Sequence, residues 1–97
     1  MNMLTKLFEI IQDRAQNPMR GSYTNALLEA GYEKIAQKVG EEAVEVIIAG
    51  NCQGRLRTIE ESADLIYHLF VLLVQKGISL EEVEKELEKR HAGEKAK

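Results

Sequence analysis

The stretch Ile59-Glu60-Glu61-Ser62-Ala63-Asp64-Leu65-Ile66-Tyr67-His68-Leu69-Phe70-Val71-Leu72-Leu73-Val74 decides the fold. Placed at about 100° per residue, as a helix requires, Ile59, Ala63, Leu65, Ile66, Leu69, Phe70, Leu72 and Leu73 point in most directions around the axis. A helix apolar nearly all round must be covered by neighbours on several sides, so this one belongs at the centre of a helical bundle. One narrow stripe is polar. Arg57, Glu61, Asp64, His68 and Gln75 project within about 60° of one another.

The flanking sequence extends the helical pattern in both directions. The central helix is expected over residues 55–76, closed by Gly77 in the left-handed conformation favoured just past a helix end. Ser79-Leu80-Glu81-Glu82 is a capping box opening a last amphipathic helix with Leu80, Val83 and Leu87 on one face, and the tail over 92–97 is expected to fray. Upstream, residues 51–54 read as a loop, preceded by a long helix over 32–49. Leu4, Leu7, Phe8 and Ile11 recur at helical spacing until Asn17-Pro18 stops the first helix. Ser22 or Thr24 can cap a short helix over 25–30, where Gly31 permits a break. No strand pattern, repeat or low-complexity segment interrupts this series, so the class is all-α, with one domain over 1–97.

Composition narrows the function. A chain of 97 residues with one proline folds as one domain, but its core is small, and a homodimer is the usual remedy. The net charge of -3 and the lack of a basic block argue against nucleic-acid binding. The longest apolar run, residues 69–74, is far short of the roughly 20 residues that span a bilayer, so no membrane is expected. Cys52 is the only cysteine, which excludes an intrachain disulfide or a cysteine-rich zinc motif and suits a cytosolic protein.

The acids on the two long helices carry the chemistry. Lys38, Glu41, Glu42 and Glu45 share one side of the earlier helix, and Ile35, Val39 and Val46 flank Glu42 closely. A carboxylate beside an apolar stripe is costly unless a cation compensates it. If the helices run antiparallel, Glu42 and Glu45 face Glu61 and Asp64, a four-carboxylate pocket. Such a group cannot stay fully ionised without a counter-ion, and an oxygen-only donor set suits Mg²⁺, whose remaining positions take water and phosphate oxygens. A phosphate ester or anhydride is the substrate class that follows. By contrast, Glu81, Glu82, Glu84, Glu86 and Glu88, interleaved with lysines, read as a solvated face. His68 reads as a hydrogen-bonded core group sooner than a ligand, and Leu65, three positions before it, departs from the Glu-x-x-His pair of di-iron bundles.

Over Lys38-Val39-Gly40-Glu41-Glu42-Ala43-Val44-Glu45 and Glu61-Ser62-Ala63-Asp64-Leu65-Ile66-Tyr67-His68, the sequence resembles the phosphoribosyl-ATP pyrophosphatases of histidine biosynthesis. The resemblance continues through Ser22-Tyr23-Thr24, Leu27-Leu28 and Gly31, then Leu72-Leu73, Gly77-Ile78, Glu86-Leu87 and Arg90-His91. It implies an all-α MazG-like NTP pyrophosphatase fold, a helical bundle completed by homodimerisation. The superfamily's E-x-x-E and E-x-x-D pairs fall on Glu42, Glu45, Glu61 and Asp64.

The implied reaction is Mg²⁺-dependent hydrolysis of 1-(5-phosphoribosyl)-ATP to 1-(5-phosphoribosyl)-AMP and pyrophosphate, with Mn²⁺ as a substitute metal. Glu42, Glu45, Glu61 and Asp64 would hold the metal, and Glu41 or another carboxylate would orient the attacking water. Lys38 would neutralise the polyphosphate or simply pair with Glu42. Arg20, Ser22, Tyr23 and Thr24 offer donors and a ring to a phosphate or base, or ordinary capping, while Arg14 and Arg57 are weaker candidates. Some members are fused to a cyclohydrolase, and no such partner is expected here. Two alternatives stay open: a housekeeping enzyme cleaving dUTP or damaged triphosphates, and a non-catalytic helical dimerisation module.

Overall fold

In the computed structural model, which describes residues 2–93, the chain forms five helices: α1 (Met3–Gln16), α2 (Tyr23–Ala30), α3 (Tyr32–Cys52), α4 (Gly54–Gln75) and α5 (Leu80–Ala92). There is no strand among the described residues. Asn2 caps α1 by accepting from the Thr5 N–H at 2.8 Å, and Pro18 follows its end. Ser22, not Thr24, caps α2: its Oγ accepts from the Asn25 N–H at 3.1 Å, and the helix begins two residues earlier than expected. Gly31, at φ 99°, closes α2 and opens α3, a conformation a side chain would strain.

The expected four-residue loop over 51–54 is a single residue. α3 runs on to Cys52 and α4 starts at Gly54, leaving Gln53 as the connector and Gly54, at φ 89°, to make the reversal. Two helices joined this tightly and packed along their length are antiparallel, and their pairing is the most extensive in the molecule. At the far end, Gly77 adopts φ 73° and the Ile78 N–H donates to the Leu73 carbonyl at 2.9 Å, a Schellman closure. The expected capping box is present: Ser79 Oγ accepts from the Glu82 N–H at 3.2 Å, and Glu82 Oε2 accepts from the Ser79 N–H at 2.8 Å. Residues 94–97, most of the tail expected to fray, lie outside the described residues, and α5 reaches Ala92.

Phe8 and Ile11 of α1, Leu27 of α2, Ile35 of α3, and Phe70 and Val71 of α4 form the core, with Phe8 and Phe70 meeting edge to face at 5.1 Å. This core covers the C-terminal half of α4. The sequence led us to expect burial all round, but Leu56 and Ile59 stay 66% and 55% exposed, and Leu69 is exposed too. For Leu56 and Ile59 the physical reason is reach: α1 and α2 pack against the half of α4 distant from Gln53, and among the described residues α3 is the element that lies along the near half. On α3 the matching end exposes Val44, Ile47 and Ile48.

Candidate functional site

The α3–α4 hairpin brings one carboxylate oxygen each from Glu42, Glu61 and Asp64 within 4.8 Å of one another. Spacing explains the juxtaposition. Glu61 and Asp64 stand one turn apart on α4, and Glu42 lies across from them, about as many residues before Gln53 as Asp64 lies after it. Glu61 is buried, Glu42 half-buried and Asp64 exposed, so the group opens to solvent on one side. Glu45, the fourth expected member, is exposed and stands outside this group, one turn nearer the connector. Glu41 is exposed as well, accepting from Gln37 Nε2 at 2.9 Å.

Two cations flank the acids. Lys38 Nζ lies 3.8 Å from Glu42 and 3.9 Å from Glu41, the i,i+4 and i,i+3 contacts of a helix face. Arg57 binds Glu61 through one guanidinium nitrogen and Glu60 through another at 2.7 Å. Burial pushes the Glu42 carboxyl above its ordinary value. The neighbouring His68 pulls it down, Asp64 raises it, Lys38 lowers it and Glu61 raises it again. The site thus disfavours a full set of negative charges. An oxygen-only trio open on one side is the donor set of a hard divalent cation, and it fits Mg²⁺ better than a soft or nitrogen-seeking metal.

Beside the acids, α2 docks on α4 through its first turn. The Tyr23 hydroxyl and His68 Nε2 are 3.1 Å apart, and His68 Nδ1 donates to the Asp64 carbonyl at 2.8 Å. Thr24 Oγ1 shares a hydrogen bond with the Tyr67 hydroxyl, and the Tyr23 and Tyr67 rings stack at 6.1 Å. Burial, more than the opposing Thr24 hydrogen bond, holds the Tyr67 phenol above its usual range, so it stays protonated. His68 is therefore a core group with both nitrogens engaged, as its apolar surroundings suggested.

The remaining candidates spread around this rim. Arg20 is exposed beside a cleft lined by Pro18, Tyr23, Asn25 and Glu29. Ser22 spends its hydroxyl on capping α2. Arg14 pairs with Asp13 at 3.2 Å, away from the acids. Sequence reasoning missed Asn25, which accepts from the Met19 N–H and donates to the Arg14 carbonyl, both at 2.8 Å, tying the turn over 17–22 to α1. An asparagine three residues after a capping serine gives no local sign of such a role.

Residues 4–91 match the family described as phosphoribosyl-ATP pyrophosphohydrolase. The chain is 55% identical over 89 residues to a phosphoribosyl-ATP pyrophosphatase of Sulfurisphaera tokodaii, covering 92% of this chain and 95% of that one. It is 53% identical over 89 residues to the protein of that name from Clostridium acetobutylicum, covering 92% and 81%. It also matches the histidine biosynthesis bifunctional protein HisIE of Caldanaerobacter subterraneus at 50% over 91 residues, spanning 94% of this chain and 44% of that longer one.

Proposed function

The chain belongs to the phosphoribosyl-ATP pyrophosphohydrolase family, and from that premise we propose that it hydrolyses 1-(5-phosphoribosyl)-ATP to 1-(5-phosphoribosyl)-AMP and pyrophosphate, the second step of histidine biosynthesis, with Mg²⁺. The observation that carries this reading is the carboxylate trio within 4.8 Å, flanked by Lys38 and Arg57. Glu42, Glu61 and Asp64 would hold Mg²⁺. When bound, the ion would supply charge neutralisation for the triphosphate and activation for water. Lys38, 3.8 Å from Glu42, stabilises charge that spreads onto phosphate oxygens as the anhydride breaks. Glu45, exposed beside the trio, is better placed to orient the attacking water than Glu41, which Gln37 and Lys38 hold. Arg20, Ser22, Tyr23 and Thr24 form the wall that receives the rest of the substrate.

The same proposal includes a homodimer, supported by the exposed apolar side chains Val44, Ile47 and Ile48 on α3 and Leu56 and Ile59 on α4. It places the reaction in the cytosol, where a free, exposed thiol such as Cys52 stays reduced. The test is to incubate the protein with phosphoribosyl-ATP, ATP or dUTP, with and without Mg²⁺, and measure pyrophosphate. Release from phosphoribosyl-ATP alone, and only with metal, is expected. Release from the plain triphosphates instead would move the protein to nucleotide housekeeping, and no release would leave the acids with a structural role.

A further inference from the structure

His68 is 5% exposed in an apolar stretch of α4, and a buried imidazole is tolerated only when its nitrogens are hydrogen-bonded. A carbonyl oxygen can only accept, so the contact with the Asp64 carbonyl puts the proton on Nδ1. In the neutral ring, Nε2 is then left as an acceptor for the Tyr23 hydroxyl, 3.1 Å away. Next to this bond, Thr24 is joined to Tyr67, so two consecutive residues of α2 are fastened to two consecutive residues of α4. His68 stands one turn from Asp64 and about two turns from Glu61 on the same stripe. The opposite end of the turn is already fixed by Asn25 to α1.

We propose that Tyr23 and His68 are positioning residues whose mutual hydrogen bond clasps the first turn of α2, and with it residues 20–22 just before, to α4 beside the acidic trio, preassembling the wall that receives the substrate. This rests on the proposed reaction for its kinetic consequence, but not for its geometry. The clasp acts on binding more than on chemistry, because it orders a wall and touches no ion-holding carboxylate side chain. A pre-ordered loop spares the substrate the entropy of ordering it.

Tyr23→Phe keeps the ring and its stack on Tyr67 and removes only the hydroxyl. Loss of one hydrogen bond predicts a KM for phosphoribosyl-ATP raised roughly two- to tenfold. We expect kcat within about twofold and Mn²⁺ affinity, read by electron paramagnetic resonance, unchanged. His68→Leu should raise KM by a similar factor although His68 is buried, and the double variant should add nothing further, as a shared interaction requires. His68→Gln, whose amide oxygen can accept from Tyr23, should recover part of the loss and guards against a misfolded leucine variant. Amide hydrogen exchange over residues 20–24 should quicken in Tyr23→Phe.

Unchanged exchange at the turn, or additive KM effects in the double variant, would overturn the clasp. If the wild type releases no pyrophosphate from phosphoribosyl-ATP, the proposed reaction falls. The clasp is then decided by the exchange measurement alone.

Discussion

Replacing Asp64 with asparagine should stabilise the metal-free protein and abolish its response to Mg²⁺. Asp64 has one carboxylate oxygen within 4.8 Å of oxygens of both Glu42 and Glu61. At that separation each pair of unit charges repels by about 0.9 kcal/mol at the dielectric of water and about 3.5 kcal/mol at an effective dielectric of 20. Asp64 is exposed, so the water end applies, and Lys38 and Arg57 already offset part of the repulsion. Relief of two pairs then leaves a net gain of about 1 kcal/mol, roughly 4–8 °C in Tm for a domain of this size. The substitution keeps the Asp64 carbonyl that His68 binds, so the helix and the α2 contact are undisturbed. In the wild type, Mg²⁺ at a hundredfold excess over its Kd should add about 2.7 kcal/mol, a rise of roughly 10–20 °C. Calorimetric melting with Mg²⁺ or with chelator, at one fixed protomer concentration, reads both effects. An Asp64→Asn protein that melts below the wild type in chelator, or that still gains stability from Mg²⁺, would refute the reasoning.

Glu42 is held above its ordinary pKa by burial, so between about 4.5 and its folded value the native state binds a proton that the unfolded chain has released. Its contribution is most favourable below that window and is lost as pH rises through it. In urea unfolding of metal-free protein, the advantage of Glu42→Gln over wild type should therefore grow from pH 4 to 7, and a shrinking advantage would contradict the assignment. Phe8→Ala should cost about 3–5 kcal/mol, because Phe8 is 2% exposed and packs edge-on against Phe70; a urea-derived loss below about 1 kcal/mol would mean this core collapses around the gap. Ile47→Glu, at a side chain 70% exposed, should leave the monomer folded and prevent dimer formation in sedimentation velocity, and an unchanged dimer would move the interface elsewhere.

What the sequence disclosed follows from what helical periodicity can carry. Spacing determines which residues share a side of their own helix, so Glu61 with Asp64, and the apolar circumference of α4, were legible without coordinates. The capping box at Ser79 was legible because both partners lie within one turn. The rotation of one helix against another is not local information. Glu42 and Glu45 are about 60° apart on α3, and periodicity allows either to face α4. Packing at the far end of α3, where Ile35 sits fully buried in the core, helps set the rotation that turns Glu42 inward and leaves Glu45 in solvent.

The reversal between the helices shows the same limit. A helix over 32–49 followed by a loop over 51–54 makes Gly50 the end of the helix and Gly54 the end of the loop. Gly50 stays helical beside the buried Ala49, with the Thr58 methyl 4.0 Å from where its Cβ would be, and only Gly54 takes the positive φ. α3 as a whole carries Val44, Ile47 and Ile48 past the reach of α1 and α2, so the acids sit at the border between the covered and uncovered halves of the hairpin. One wall of the pocket is supplied by α2 through Tyr23 and Thr24. In the proposed dimer, burial of the uncovered half beside Glu45 would exclude water from the opposite side and strengthen every charge interaction in the pocket.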